Sequence, residues 1–229
     1  MNAAGPHPLD RQIWNALTTR QAHLSLGGEL AKRLDPRFGP FAATLDDTPA
    51  SFAALHRLSH EANDFVLFTP GPPPLLGNFK VLMASELDQF VGIDSGAGPK
   101  RDDIAKLSAA DVPEMLALAE LTKPGPFLAR THELGAFYGV RIEGRLAAMT
   151  GERLKLPGFT EITAVCTHPD FRGRGLAAAL IARVAEGIKA RGETPFLHVF
   201  SHNAPAIAVY RRLGMERRRS FAVTFARGL

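Results

Sequence analysis

The sequence predicts a mixed α/β fold of the α+β class, in which a central twisted mixed sheet is flanked by helices. Strand-like and helix-like segments follow one another through the second half of the chain. The longest helical pattern places an apolar residue on one face every four positions, at Leu176, Leu180, Val184 and Ile188. This helix lies between two strand-like segments, and such a crossover joins strands that run side by side in parallel.

Two clusters of proline and glycine interrupt the chain, at residues 70–74 and 92–99. The second cluster predicts a linker. It separates an N-terminal α+β half-domain, residues 1–95, from a larger domain, residues 103–229.

Before the linker, the pattern predicts helices at residues 9–18 and 49–62 and strands at residues 38–45, 64–68 and 80–90. None of these segments carries a recognisable catalytic constellation. We therefore expect the N-terminal half-domain to be non-catalytic.

After the linker, helices and strands alternate more regularly. Helices are predicted at residues 109–121, 174–191 and 204–213, and strands at residues 104–107, 136–142, 145–153, 159–167, 195–200 and 220–226. Glu143-Gly144 forms a two-residue hairpin turn between the second and third of these strands, because glycine tolerates a positive φ.

Composition excludes several classes of protein. The chain has 229 residues, of which 45% are apolar, enough for a substantial core. The first residues lack the pattern of a secretion signal, and no apolar run reaches eighteen residues, so we expect a cytoplasmic protein that does not span a membrane. Cys166 is the single cysteine, which excludes an internal disulfide.

No metal site is predicted. His198 and His202 bracket the end of one strand, and four residues along a strand span about 13 Å, too far to share one ion.

The positive charge lies in the second part of the chain. Residues 1–100 carry eight Lys/Arg and ten Asp/Glu, whereas residues 101–229 carry nineteen and thirteen. A basic region suits an anionic small ligand. The positive residues are scattered, except at positions 211–212 and 217–219, and few aromatic residues lie among them, which argues against nucleic-acid binding.

The segment His168-Pro-Asp-Phe-Arg-Gly-Arg-Gly-Leu-Ala177 lies between the strand at 159–167 and the long helix. Gly173 and Gly175 let the chain turn tightly, and the helix that follows offers unpaired N–H groups and the positive end of its dipole. A pyrophosphate would be stabilised there. Arg172 and Arg174 could add charge-assisted contacts.

Three alternatives compete for this loop. A Walker loop is excluded because no Gly-Lys-Ser/Thr follows. Gly173, Gly175 and Ala178 fit the dinucleotide pattern G-x-G-x-x-A. However, five residues separate the strand from Gly173, and the next strand does not end in an acidic residue. A loop with purely structural duties stays open.

The strand, loop and helix together resemble the acetyl-CoA-binding core of the GNAT superfamily of N-acetyltransferases. The family pattern Q/R-x-x-G-x-G/A is matched by Arg172, Gly175 and Ala177. A second family pattern is matched by Asn203, Ala206, Tyr210, Gly214 and Met215, where Met215 replaces the commoner Phe. The resemblance covers residues 103–227. The order of strands and helix between residues 40 and 90 is also similar to a GNAT half-domain that lacks the loop.

The resemblance implies that acetyl-CoA is the co-substrate. Its pantetheine arm would bind the backbone of Val165, Cys166 and Thr167 in the manner of an added strand. Asn203 would contact the cofactor near the mouth between the two parallel strands. The pyrophosphate would be held by the loop and the first turn of the helix, namely by Arg172, Gly173, Arg174, Gly175, Leu176, Ala177 and Ala178.

The resemblance also implies that Tyr210 is the general acid that protonates the departing thiolate. Glu161 is the leading candidate for the base that takes the proton of the amine, or for an anchor of its ammonium group. Strand alternation places Glu161 on one face with Thr163, Val165 and Thr167. His168 is the second candidate base. Cys166 has no base placed to activate it, which argues against an acyl-enzyme.

These observations predict an N-acetyltransferase that passes an acetyl group to a primary amine of a small molecule or amino acid, by direct attack in a ternary complex. The alternative is a non-catalytic acyl-CoA-binding or sensing protein. A homodimer is left open. The acceptor would contact the loop at residues 122–127, the hairpin, the loop at residues 155–159 and the N-terminal half-domain. Phe127 and Phe159 would line an apolar acceptor pocket or belong to the core.

Overall fold

The computed structural model describes residues 7–59, 64–74, 77–94, 96 and 98–229. The chain divides into two compact units. The first unit consists of Met1–Asp88, Leu154–Pro157 and Ser220–Leu229, and the second of Gln89–Arg153 and Gly158–Arg219.

Five helices and eleven strands are defined within the described residues. The helices are α1 (Gln12–Thr18), α2 (Pro49–Ser59), α3 (Val112–Thr122), α4 (Leu176–Ala190) and α5 (Ala204–Arg212). The strands are β1 (Ser25–Gly27), β2 (Ala31–Leu34), β3 (Ala42–Thr44), β4 (Phe65–Thr69), β5 (Phe79–Val91), β6 (Ile104–Lys106), β7 (Phe137–Ile142), β8 (Arg145–Leu156), β9 (Phe159–Thr167), β10 (Thr194–Phe200) and β11 (Glu216–Gly228).

The first unit contains a small antiparallel sheet in the order β1-β2-β3. Strand β4 pairs with the last part of β11, also antiparallel. Phe52 and Leu55 of α2 pack into an apolar cluster with Phe65 and Phe79. The predicted strand, helix and two strands therefore form, whereas the end of the predicted second helix, residues 60–62, lies outside the described residues.

Strands β1 and β2 were not predicted from the sequence. Strand β1 has only three residues and two of them are exposed, so it shows no apolar pattern. Strand β2 contains Lys32 and Arg33, which do not suit a buried strand. Arg33 is nevertheless buried, because its Nη1 donates to the carbonyl of Leu58 at 2.9 Å. This long-range bond has no sequence signature.

The second unit is built on a mixed sheet. Its strands are arranged in the order β5-β10-β9-β8-β7-β6. Strands β6, β7 and β8 pair antiparallel, whereas β9 and β10 run parallel. The predicted crossover through the long helix is thereby confirmed, and the predicted fold class with it.

Separate apolar clusters join the helices to this sheet. Ile181 and Val184 of α4 pack with Leu197 of β10. Met115 and Leu118 of α3 pack with different residues of the sheet. The four predicted apolar positions of α4 are all buried, as the spacing indicated. Among the described residues, no helix is both long and apolar enough to cross a bilayer.

In the β7–β8 hairpin, the ring of Phe137 packs directly against the backbone of its cross-strand partner Gly151. A Cβ atom added to Gly151 would overlap the ring of Phe137, which is 2% exposed. The hairpin turn has positive φ at Glu143 (52°) and Gly144 (77°), as the two-residue turn requires. Glycine at position 151 therefore allows the ring to lie flat on the strand.

We expect Gly151→Ala to lower the free energy of unfolding by about 1–3 kcal/mol, because the buried ring of Phe137 cannot move aside. Urea denaturation measures this change. The matched control is the double variant Gly151→Ala with Phe137→Leu, which should cost less than the sum of the two single changes. Additive effects would contradict the close contact.

Candidate active site

The parallel strands β9 and β10 pair only along their first residues, and we call the region between their unpaired ends the cleft. Their register consists of the pairs Phe159↔Thr194, Thr160↔Pro195 and Glu161↔Phe196. Both strands continue past the last pair, β9 to Thr167 and β10 to Phe200. Since a strand advances about 3.3 Å per residue, the unpaired parts are long enough to admit an extended ligand between them.

Ala164 interrupts the regular pleat of β9. It has a φ of 50°, a conformation that costs about 1–3 kcal/mol in a residue with a Cβ atom. As a result, Val165 packs in the same cluster as Ile162, whereas Ala164 and Cys166 pack in the cluster of α3. The predicted alternation, with Glu161 and Val165 on one face, is therefore wrong, because the bulge shifts the pattern by one residue.

Near the end of β9, successive main-chain N–H groups point to opposite edges of the strand. The N–H of His168 donates to the carbonyl of Ala147 on β8 at 2.8 Å. Since consecutive N–H groups of a strand point to opposite edges, those of Thr167 and Val165 face β10, and that of Cys166 faces β8. Two of the three predicted backbone positions therefore face the cleft.

The glycine loop leads from β9 into α4. Gly173 and Gly175 both have positive φ, at 77° and 73°, and both are exposed. A Cβ atom on Gly173 would have no neighbour within 4 Å, and one on Gly175 would meet only Pro99, at 3.5 Å. The first hydrogen bond of α4 runs from Ala179 to Gly175, so the N–H groups ahead of Ala179 have no partner within the helix.

The two arginines of the loop are exposed. The guanidinium of Arg174 lies 5.3 Å from the centre of the Phe171 ring, and that of Arg145 lies 5.5 Å from the same centre. Phe171 itself is buried. Stacking on this ring restricts Arg174 beside the glycine loop.

Helix α5 carries two of the predicted site residues. Asn203 is its N-cap, where Oδ1 accepts from the N–H of Ala206 at 3.2 Å. Tyr210 lies about two turns further along α5, and the centre of its ring is 5.9 Å from that of Phe90. Burial raises the pKa of Tyr210 to about 12, so its phenol stays protonated at neutral pH. Tyr210 packs in the same cluster as Val165 and Val199, from the two strands of the cleft.

Glu161 lies in a row of side chains that we call the polar row: Arg153, Glu161, His198, Gln89 and Arg218. Glu161 is completely buried and accepts two hydrogen bonds from Arg153, from Nε and Nη2, both at 2.8 Å. Nδ1 of His198 lies 2.7 Å from Oε1 of Glu161. Nε2 of His198 lies 3.1 Å from Nε2 of Gln89, whose Oε1 accepts from Arg218 at 2.8 Å.

The charge state of Glu161 follows from these contacts. Burial opposes the charged form, but the Arg153 guanidinium and the hydrogen bond from His198 outweigh it and lower the pKa to about 2. A carboxylate with this pKa and these partners accepts a proton poorly. Complete burial and the contacts with Arg153 and His198 favour neither of the two roles predicted for Glu161, the base or the anchor of the ammonium group.

The remaining candidates occupy other positions. His168 caps a short 3-10 helix, with its Nδ1 accepting from the N–H of Asp170, and its Nε2 lies 2.9 Å from Arg145. Burial raises the pKa of the Cys166 thiol to about 11, which keeps it protonated. Phe127 packs against the Ala164 cluster, whereas Phe159 lies at the far, paired end of β9.

Sequence reasoning missed the partners of Glu161. Arg153, His198, Gln89 and Arg218 lie on four different strands, and their side chains are brought together only by the sheet order. A buried-strand pattern containing an isolated Arg, His or Gln was the one available signal, because buried polar groups need partners. It does not say which partners.

Known proteins share this architecture. Residues 137–223 match the family described as FR47-like protein. Mycothiol acetyltransferase from Clavibacter michiganensis subsp. michiganensis (strain NCPPB 382) is 27% identical over 132 residues, which cover 56% of this chain and 39% of that protein. The chain thus spans about two fifths of the length of this curated relative.

Two solved structures resemble nearly the whole chain. A GNAT-family protein from Novosphingobium aromaticivorans DSM 12444 superimposes with a TM-score of 0.90 at 42% identity, covering 98% of this chain and 100% of that one. A GCN5-related N-acetyltransferase from Kribbella flavida shares the fold, with a TM-score of 0.63 at 18% identity, and covers 95% of this chain and 93% of that one.

A mixed sheet with a cleft between parallel strands, followed by a glycine loop at a helix start, is the architecture that this chain shares with the GNAT-family structure. The chain belongs to the GNAT family.

We expect the stability conferred by Glu161 to depend on pH. Its pKa is about 2 in the folded chain and 4.5 when unperturbed. The stabilisation is therefore complete above about pH 4.5 and is lost as the pH falls toward about 2. Glu161→Gln should lower the free energy of unfolding by about 3 kcal/mol at neutral pH, and the difference from wild type should shrink in acid.

Urea denaturation at a series of pH values measures this effect. Glu186→Gln is the matched control, since the Glu186 side chain is 75% exposed and its ion pair with Arg183 should contribute little. If the difference in unfolding free energy between wild type and Glu161→Gln does not change with pH, the charge of the carboxylate does not stabilise the fold.

Proposed function

We propose that this protein transfers the acetyl group of acetyl-CoA to a primary amine of a small molecule or amino acid, by direct attack in a ternary complex. The observation that carries the proposal is the cleft between β9 and β10, which opens beside a glycine loop with exposed main-chain N–H groups. Membership of the GNAT family and the acetyltransferase relatives favour acetyl as the transferred group.

The glycine loop fits a pyrophosphate. Side chains at Gly173 and Gly175 would narrow the approach to the N–H groups of the first turn of α4, and both positions are glycines in the left-handed region. The helix dipole adds favourable charge there. We assign the pyrophosphate to residues 172–178, with Arg174 adding a charge-assisted contact from its place on Phe171.

The unpaired edge of β9 fits an extended chain that carries amides. Val165 and Thr167 present main-chain groups toward β10, and such groups bind an added strand-like ligand. Asn203 uses Oδ1 to cap α5, which leaves its Nδ2 directed away from the capping bond. We assign the pantetheine arm to Val165 and Thr167, and a further contact to Asn203.

Bound acetyl-CoA supplies a thioester carbonyl that a neutral amine can attack. Tyr210 is assigned to the thiol, because its phenol stays protonated and its ring lies in the same apolar cluster as Val165. The thiol of coenzyme A resembles that of cysteine, with a pKa of about 8.5, so breaking the C–S bond releases a thiolate that a neighbouring O–H donor stabilises. Cys166 plays no covalent part, since its thiol stays protonated.

We propose that solvent in the cleft takes the proton of the amine. Glu161 is held by Arg153 and His198, and its low pKa makes it a weak base. Both ring nitrogens of His168 contact protein groups. Glu161 is instead a positioning residue that fixes the start of the cleft.

We also propose that the N-terminal residues 1–95 take no direct part in the chemistry, apart from the end of β5. All the residues assigned above lie in the second unit. The strand, helix and strand formed by β3, α2 and β4 have no glycine loop between a strand and a helix.

We expect Gly175→Val to abolish the binding of acetyl-CoA, measured by calorimetry, because a side chain there narrows the approach to the N–H groups of α4 and strains the backbone. Gly192→Val is the matched control, since Gly192 has nearly the same φ (75° against 73°), is also exposed, and lies at the opposite end of α4. Both variants should lose similar stability. Equal binding by the two would overturn the assignment of the loop.

Tyr210→Phe should leave acetyl-CoA binding within about twofold of wild type and slow turnover by about 10²–10⁴-fold, since it removes a proton donor and little packing. Binding is measured by calorimetry and turnover by thiol release. A variant that loses binding and turnover together would show that Tyr210 only shapes the cleft.

The function itself is tested by thiol release from acetyl-CoA across a panel of primary amines and free amino acids. The expected result is turnover that saturates with one class of amine. Gly175→Val serves as the inactive control. Saturable binding of acetyl-CoA with no turnover on any amine would indicate an acyl-CoA-binding or sensing protein.

A further inference from the structure

The polar row crosses five adjacent strands and contributes one side chain from each. Arg218, Gln89, His198, Glu161 and Arg153 lie on β11, β5, β10, β9 and β8, which neighbour one another in that order. Gln89 and Glu161 are fully buried, and the side chain of His198 is 3% exposed. In such surroundings each donor must meet an acceptor, because an unmatched polar group is costly.

The chemistry of the donors fixes the direction of every bond. A guanidinium can only donate, so Gln89 must present Oε1 to Arg218, at 2.8 Å, and Nε2 to His198. Nε2 of His198, 3.1 Å from the amide nitrogen of Gln89, must then accept and carries no proton. The imidazole proton is left on Nδ1, where it is donated to the carboxylate of Glu161 at 2.7 Å.

We infer that Gln89 and Arg218 are positioning residues that hold His198 as a neutral imidazole protonated on Nδ1, so that His198 ties β10 to β9 where their backbone pairing ends. The last backbone pair is Glu161↔Phe196, and His198 is two residues beyond it on β10. The bond from His198 to Glu161 is therefore the next link between the two strands. The tie sets the width of the cleft at its closed end.

Both orientations of the Gln89 amide disfavour a doubly protonated, charged His198. A second proton on Nε2 would face the amide nitrogen of Gln89, which is a donor. Turning the amide over would place that nitrogen against Arg218, another donor. Glu161 on β9 and Gln89 on β5 face the imidazole directly, the ring of Phe196 lies 5.7 Å away, and Arg153 and Arg218 lie one contact further.

The tautomer is tested by NMR on the full chain labelled with ¹⁵N-histidine, with the His198 signals assigned by their loss in His198→Asn. We expect a proton on Nδ1 and none on Nε2 at neutral pH. In Gln89→Glu, the new carboxylate accepts from both Arg218 and His198, so Nε2 should gain a proton. Arg218→Gln should release the amide of Gln89, so that Oε1 can turn toward His198 and Nε2 of His198 can carry the proton.

Two results would overturn the inference. One is a wild-type His198 that carries its proton on Nε2, or on both nitrogens, at neutral pH. The other is an unchanged His198 signature in both Gln89→Glu and Arg218→Gln. The wild-type spectrum decides the tautomer even if a variant fails to fold.

The consequence for the cleft rests on the proposed function and is tested separately. His198→Asn keeps an N–H donor for Glu161, whereas His198→Leu removes it. By calorimetry, acetyl-CoA should bind His198→Asn within about threefold of wild type and His198→Leu about tenfold more weakly, the usual effect of losing one hydrogen bond to a charged group. Equal affinities would overturn the tie. A wild type that binds no acetyl-CoA would overturn the proposed function, while the NMR result would stand.

Discussion

The backbone pairing between β9 and β10 ends after Glu161 and Phe196, and the rest of the site depends on that break. A continuous ladder would use the N–H and carbonyl groups of Val165 and Thr167 within the sheet. Ala164 has a left-handed conformation three residues past the last pair, where a regular ladder cannot continue. Ala164 packs in the apolar cluster of α3, and this packing stabilises its strained conformation.

Beyond the last backbone pair, side-chain hydrogen bonds connect β9 to its neighbours. A buried carboxylate is unfavourable without partners, and Glu161 accepts hydrogen bonds from both Arg153 and His198. These partners come from the strands on either side of β9, so the same contacts that neutralise the charge also hold β8, β9 and β10 together. Each member of the polar row orients the next one, so we expect the row to behave as a unit.

Local features could be predicted from the sequence because each is encoded within a few residues. The four-residue spacing of apolar side chains predicted α4, and Gly173 and Gly175 predicted the loop. The polar row could not be predicted, since Gln89 and His198 are 109 residues apart and meet only through strand order. The predicted face of Glu161 was wrong because the sequence does not indicate the positive φ at Ala164. A positive φ is usually marked by glycine, and Ala164 gives no such sign.

The bulge also separates the two sides of the proposed reaction. Val165 turns toward the cluster that contains Tyr210, whereas Ala164 and Cys166 turn toward the cluster that contains Phe127. Under the proposed function, the thioester sulfur would lie on the Tyr210 side of β9, whereas the thiol of Cys166 lies on the side of α3. Burial raises the pKa of that thiol to about 11 and keeps it protonated, which disfavours a covalent acyl-enzyme and favours the direct transfer that we propose.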